Sequence, residues 1–166
     1  VGSEMCIRDS AETIRNISGV ADRVQSLVGS LRGYLRGNDG RGDIHADVDV
    51  ATGLDDALRM VSHRLDRVDV RRRYEPAPTI AARPGALQQV WSNLLVNALD
   101  AMNDEGRLSI RVAPEGAAVR VEIADTGPGV PPEIESRIFE PRFTTKDGRV
   151  QFGLGLGLSI SRQIVE

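Results

Sequence analysis

One cysteine, Cys6, stands in the 166 residues, which excludes an internal disulfide and a cysteine metal cluster. No apolar run approaches the ~20 residues of a membrane span, and no signal peptide is visible. A basic surplus is missing as well. Lys and Arg number 21 against 24 Asp and Glu, for a net charge of -3, which argues against general nucleic-acid binding. The one basic run, Arg71-Arg72-Arg73, continues an alternating pattern and reads as a solvated strand end. Internal repeats and low-complexity segments are absent too. What remains, 40% hydrophobic and 27% charged residues, is ordinary for a globular chain of one domain plus an appendage. The segment is expected in the cytoplasm, without contact to nucleic acid or membrane, whether or not its parent is membrane-anchored.

Val1–Ser10 has no periodicity and reads as a non-native leader, removed from fold reasoning together with Cys6. Residues 11–36 carry apolar side chains at alternating steps of three and four, from Ile14 through Leu35. Val20, Leu27 and Tyr34 widen that stripe to the breadth of a bundle helix. Such a helix needs an upstream helix or a second chain as partner. The alternative is that it packs on the domain that follows. Gly37–Gly42 is a linker and marks a domain boundary before residue 43.

Beyond it, Asp43–Val50 alternates as a strand, and Leu54–Leu65 reads as a helix with Asp55 and Asp56 near its N-terminus. Val68–Tyr74 and Thr79–Ala81 read as strands joined directly, hence as antiparallel neighbours. Leu87–Met102 has the clearest helical stripe, entered at Pro84-Gly85 and left at Asn103–Gly106. Arg107–Val112 and Ala118–Ile123 form a hairpin. Asp125–Gly153 is a long loop with one short helix near Pro132–Ile138, and loops of that length are lids or binding loops. A helix over Gly155–Val165 follows. The order predicts an α+β fold: a two-layer sandwich of a mixed, mostly antiparallel sheet with helices on one face, preceded by the bundle-type helix.

Three stretches carry chemistry. Asn93 and Asn97 lie one turn apart at the edge of an apolar stripe, although asparagine is a poor interior helix residue. They are either satisfied polar residues under a loop or neutral oxygen ligands aimed at a metal-bound ligand. Asp125-Thr126-Gly127-Pro128-Gly129 follows a strand directly. It is either an ordinary turn or a carboxylate placed to accept a hydrogen bond from an exocyclic amine, which adenine offers and guanine lacks at that place. Gly153-Leu154-Gly155-Leu156-Gly157-Leu158 opens a helix. It allows either close helix packing or approach of backbone N–H groups to phosphate, without the surroundings of a Rossmann or P-loop site.

In this order, with Arg137–Lys146 between the last two, the stretches resemble the N box, first glycine box, F box and second glycine box of two-component sensor histidine kinases. The resemblance covers roughly residues 44–166. It implies the ATP-binding sandwich shared with gyrase, Hsp90 and MutL-type ATPases. It further implies that Asn97, supported by Asn93, holds Mg²⁺ on ATP, and that Asp125 takes the adenine amine, with Gly127 and Gly129 giving the base room. Gly153, Gly155 and Gly157 would present backbone to the phosphates. Phe139 and Phe143 would anchor a lid, and Lys146 or Arg149 would meet phosphate charge, although Asp147–Phe152 makes this lid longer than the family's commonest form. Gyrase-type members place a glutamate at the position of Asn93 to activate water. An amide cannot serve as that base, so slow hydrolysis and transfer of the γ-phosphate to a histidine are expected. Asp100 stands where many members carry a basic residue.

The resemblance also implies partners: a response-regulator receiver domain and, through the helix at 11–36, a second copy of the parent. That helix resembles the second of a dimerisation and phospho-acceptor hairpin. Neither His45 nor His63 has the acidic context of the acceptor, so the acceptor is expected outside this sequence, as are closing strands after Glu166. Two other functions stay open. One is a non-transferring nucleotide-sensing and dimerisation module; the other is a serine kinase of the anti-sigma-factor type, which the bundle helix argues against.

Overall fold

A computed structural model of the chain describes residues 44–140, 145–146, 149–150 and 156–166. The expected leader, bundle-type helix and linker lie outside the described residues, as do Phe143, Gly153 and Gly155.

Strand β1 (His45–Val48) leads straight into helix α1 (Val50–Met60). Asp49 ends the strand and caps the helix: its Oδ1 accepts from the Ala51 N–H at 3.0 Å and its Oδ2 from the Thr52 hydroxyl at 2.7 Å. A capping carboxylate satisfies backbone donors that the first turn leaves without partners. The strand expected to run to Val50 therefore stops at Val48, and the helix expected from Leu54 starts four residues earlier. Asp55 and Asp56 are interior instead. Asp55 accepts from Arg72 and from the Tyr74 hydroxyl, whereas Asp56 pairs with Arg59. After Met60 the chain tightens into a short 3-10 turn, Ser62–Arg64.

Strands β2 (Val68–Tyr74) and β3 (Ile80–Ala82) are not neighbours, contrary to the expectation from their direct connection. Pro76 and Pro78 fall in the five residues between them, where a ring in place of the N–H prevents a tight hairpin ladder. β3 instead pairs antiparallel with β1. β2 runs parallel to β4 (Gly106–Glu115), which pairs antiparallel with β5 (Ala118–Asp125), giving the sheet order β2-β4-β5.

Helix α2 (Pro84–Met102) covers this sheet. Pro84 sits at its first turn, where a missing N–H costs nothing. Asn103, in the left-handed region at φ 51°, ends it, and the Asp104 N–H returns to the Leu99 carbonyl at 3.0 Å. Leu95 and Leu99 of α2, Leu54 of α1 and Leu108, Ile110 and Val112 of β4 are the centre of the core. Arg64 staples the far end of α2 to the 3-10 turn. It donates to Asp100 at 2.6 Å and to Asp104 at 2.7 and 2.9 Å. Burial opposes the charge of Arg64, but the two carboxylates outweigh it and raise its pKa.

A single helical turn, α3 (Pro132–Glu135), stands in the segment that follows β5. Two short strands, β6 (Thr145–Lys146) and β7 (Arg149–Val150), pair antiparallel. Helix α4 (Gly157–Val165) then packs on α2 and buries Ile160 and Ser161. The result is the expected α+β arrangement, with mixed strand pairing and helices layered on the sheet.

Candidate functional site

Strand periodicity decides where Asp125 faces. Side chains of β5 alternate between faces, so Val119, Val121, Ile123 and Asp125 form one row, turned toward α2. The first three are apolar and half-buried, as expected of a row facing a helix. The fourth is a carboxylate at the strand's end, opposite Leu108 of β4.

From the helix side, Val90, Leu94, Asn97 and Ala101 recur at steps of three and four and meet that row. The two rows enclose an open cavity of about 550 Å³. Asn97, Asp125 and Gly129 line it together with apolar residues that include Trp91, Ala98, Ile123 and Val130. An apolar cleft with a few convergent polar groups is the usual form of a small-molecule site.

The loop after β5 is built to hold Asp125 there. The Gly127 N–H donates to Asp125 Oδ1 at 2.8 Å, and the second carboxylate oxygen accepts no bond among the described residues. The Thr126 hydroxyl accepts from the Arg107 N–H at 3.0 Å and ties the loop to the start of β4. Gly127 lies so close to α2 that an added Cβ would stand 2.8 Å from Asp125 Oδ1 and 3.0 Å from the Ala101 Cβ. Gly129 has φ +74°, a backbone state that side-chain-bearing residues rarely adopt.

The other asparagine of α2 is placed differently. Asn93 is buried, does not line the cavity, and donates through Nδ2 to the Gly157 carbonyl at 3.1 Å and toward Ser161 Oγ at 3.3 Å. It joins α2 to the first turn of α4. Phe139 is part-exposed and lies under the Arg162 guanidinium, 5.6 Å from its ring centroid, so it too is held by α4. Lys146 and Arg149 are cross-strand partners in the β6–β7 pair. Phe143, Gly153 and Gly155 lie outside the described residues.

Three residues with a part in the site carried no obvious signal in the sequence. Ala101 and Val130 line the cavity as ordinary apolar residues. Ser161 looked like one more helix residue, although its step of four from Gly157 places a hydroxyl on a face that is otherwise apolar.

The arrangement can orient a base with an exocyclic amine against Asp125 and place what the base carries near Asn97. An amide oxygen is a hard, neutral donor and suits an ion that keeps phosphate and water as its remaining ligands. Among the described residues no group of three or more His, Cys, Asp or Glu is placed to hold an ion by itself. The donor set at Asn97 thus fits a cation that arrives with a phosphate ligand.

Known proteins resemble this chain over much of its length. Residues 82–166 match the family model described as histidine kinase-, DNA gyrase B- and HSP90-like ATPase. The chain is 34% identical over 122 residues to the sensor histidine kinase ZraS of Escherichia coli (strain K12), covering 72% of this chain and 25% of that protein. It is also 34% identical over 160 residues to the sensory histidine kinase/phosphatase NtrB of Escherichia coli O157:H7, covering 88% of this chain and 43% of that protein. The chain thus spans less than half the length of these relatives.

Among solved structures, the mycobacterial sensor histidine kinase MprB superposes with a TM-score of 0.63 at 28% identity, over 73% of this chain and 78% of that one. Full-length ShkA in complex with AMPPNP gives 0.68 at 28% identity, over 94% of this chain and 33% of that one. No helix among the described residues is long and apolar enough to cross a membrane. The four motifs, the cavity between α2 and β5, and a family match over half the chain lead to one assignment: this chain belongs to the histidine kinase-, DNA gyrase B- and HSP90-like ATPase family, as an ATP-binding catalytic segment of the histidine-kinase type.

Proposed function

We propose that the segment binds Mg-ATP between α2 and the end of β5, and that its parent transfers the γ-phosphate to a histidine outside this sequence for relay to a response-regulator receiver domain. The observation that carries the reading is the convergence of Asn97 and Asp125, from two layers of the fold, on one apolar cavity. Asp125 accepts from the adenine amine through the oxygen that Gly127 leaves unoccupied. Apolar side chains of α2 and β5 cover the base and exclude water from that bond.

Asn97, supported by Asn93, would hold Mg²⁺ on the phosphates, and the ion would supply neutralisation of the charge that builds on the transferring group. Backbone N–H groups of Gly153, Gly155 and Gly157 receive the phosphates, aided by the positive end of α4. Lys146 and Arg149 complement the phosphate charge, and Phe139 and Phe143 anchor the segment that carries them. Transfer of this kind depends chiefly on alignment. Lacking a carboxylate base at position 93, the segment hydrolyses ATP slowly.

The same reading divides the chain into a leader over 1–10, a dimerisation helix and linker over 11–42, and the nucleotide domain from 43 to 166. It places the segment in the cytoplasm of a parent that pairs with a second copy through the helix.

The test is phosphate incorporation by the full-length parent from ATP labelled at the γ position. The expected product is a phosphoramidate, labile to acid and stable to alkali, that is lost in Asn97→Ala and Asp125→Ala and competed by ATP but not GTP. Rapid release of inorganic phosphate without protein labelling would contradict the reading. An alkali-labile product would favour serine transfer instead.

A further inference from the structure

Asn93 and Ser161 are the buried polar side chains of the described residues, 7% and 5% exposed, and they meet each other. Asn93 Nδ2 lies 3.1 Å from the Gly157 carbonyl oxygen and 3.3 Å from Ser161 Oγ. Ser161 Oγ lies 2.8 Å from the same carbonyl.

Proton counting fixes the orientation of the amide. A carbonyl oxygen only accepts, so the single hydroxyl proton of Ser161 goes to Gly157, and the hydroxyl meets Asn93 as an acceptor. The nitrogen of Asn93 must then face α4. Turning the amide over would set its oxygen 3.1 Å from the Gly157 carbonyl oxygen with no proton between them, and a Ser161 proton turned to relieve it would leave its own bond to that carbonyl. The Asn93 oxygen is left beside the α-carbon of Gly157, where an added Cβ would stand 3.7 Å from it.

We infer that Ser161 is a positioning residue of the nucleotide site: together with the Gly157 carbonyl it locks the Asn93 amide with its oxygen, not its nitrogen, toward the phosphate end. The distinction matters chemically, because an amide oxygen is a ligand for a hard cation and an amide nitrogen is not. The inference rests on the Mg-ATP reading above and assigns a task to a residue that touches neither nucleotide nor ion.

The test measures ATP affinity by calorimetry, once with Mg²⁺ and once with a chelator, in the wild-type chain, Ser161→Ala, Asn93→Ala and the double variant. Loss of one buried hydrogen bond predicts that Ser161→Ala lowers the Mg²⁺-dependent gain in affinity about fivefold. Its affinity for metal-free ATP stays unchanged. Ser161→Thr, which keeps the hydroxyl, retains most of the gain.

In the Asn93→Ala background the Ser161 substitution is expected to have no further effect, and in the ligand-free Ser161→Ala chain the Asn93 side-chain amide protons exchange faster by NMR. An unchanged Mg²⁺ gain in Ser161→Ala or in Asn93→Ala overturns the inference. So does a Ser161 effect of equal size in both backgrounds. Failure of the nucleotide reading itself is seen separately, as ATP binding that survives Asp125→Ala undiminished.

Discussion

A carboxylate in a row of valine and isoleucine side chains is the residue-scale fact from which the site follows. Period-two alternation sends Asp125 to the same side as Val119, Val121 and Ile123, so it stands at the exposed end of the row that faces α2. Gly127 keeps it there by approaching Ala101 with no side chain between. Gly127→Ala places a methyl group 2.8 Å from the carboxylate and 3.0 Å from the Ala101 Cβ, so the loop must move away from α2. Such a shift of a positioning loop should weaken ATP binding about tenfold or more while lowering the unfolding midpoint only slightly. A fluorescent-nucleotide titration and a thermal melt on the same sample check both halves.

Tyr74 makes a second residue-scale prediction. Burial and a 3.0 Å hydrogen bond to Asp55 raise its hydroxyl pKa from 10.0 to about 12. A pKa raised on folding stabilises the protonated form, so this contribution is complete below pH 10 and is lost as pH rises toward 12. Stability measured across that window should fall in the wild-type chain and fall less in Tyr74→Phe. Absorbance of the phenolate follows the same titration directly.

At the scale of elements, α2 does the most. One of its faces supplies Leu95 and Leu99 to the core, another supplies Asn97 to the cavity, and Asn93 reaches α4. Leu99 is fully buried, and truncating it to alanine should cost ~2–5 kcal/mol, read as a lower urea midpoint with an unchanged slope. Because cavity residues share this helix, ATP affinity should fall in step with the folded fraction and recover at low denaturant.

The helix was legible in the sequence for the same reason it matters: apolar residues repeat at its period over four turns. The β4–β5 hairpin was legible from alternation and a glycine turn. The start of α1 was not, because Asp49 alternates with its neighbours like a strand residue while serving as a cap. Nor was the parallel pairing of β2 with β4, since a contact across α2 leaves no local mark. Within the site, Asp125 and the asparagines could be singled out by type and place. Ser161 could not, because only the packing of α4 against α2 gives its hydroxyl a partner.

For the whole molecule, two elements converge on one cleft and a third docks on one of them. The sheet fixes Asp125, α2 fixes Asn97, and α4 brings its first turn to Asn93. These are separate parts of the chain, so the proposed site exists only when the domain is folded, and bound nucleotide should raise its melting temperature with concentration.

The most direct measurement is calorimetric titration of ATP into the wild-type chain, Asp125→Ala and Asn97→Ala, each with Mg²⁺ and with a chelator. The predicted result is loss of binding under both conditions in Asp125→Ala, and loss of the Mg²⁺-dependent part alone in Asn97→Ala. ATP binding equal to wild type in both variants would contradict a nucleotide site between α2 and β5.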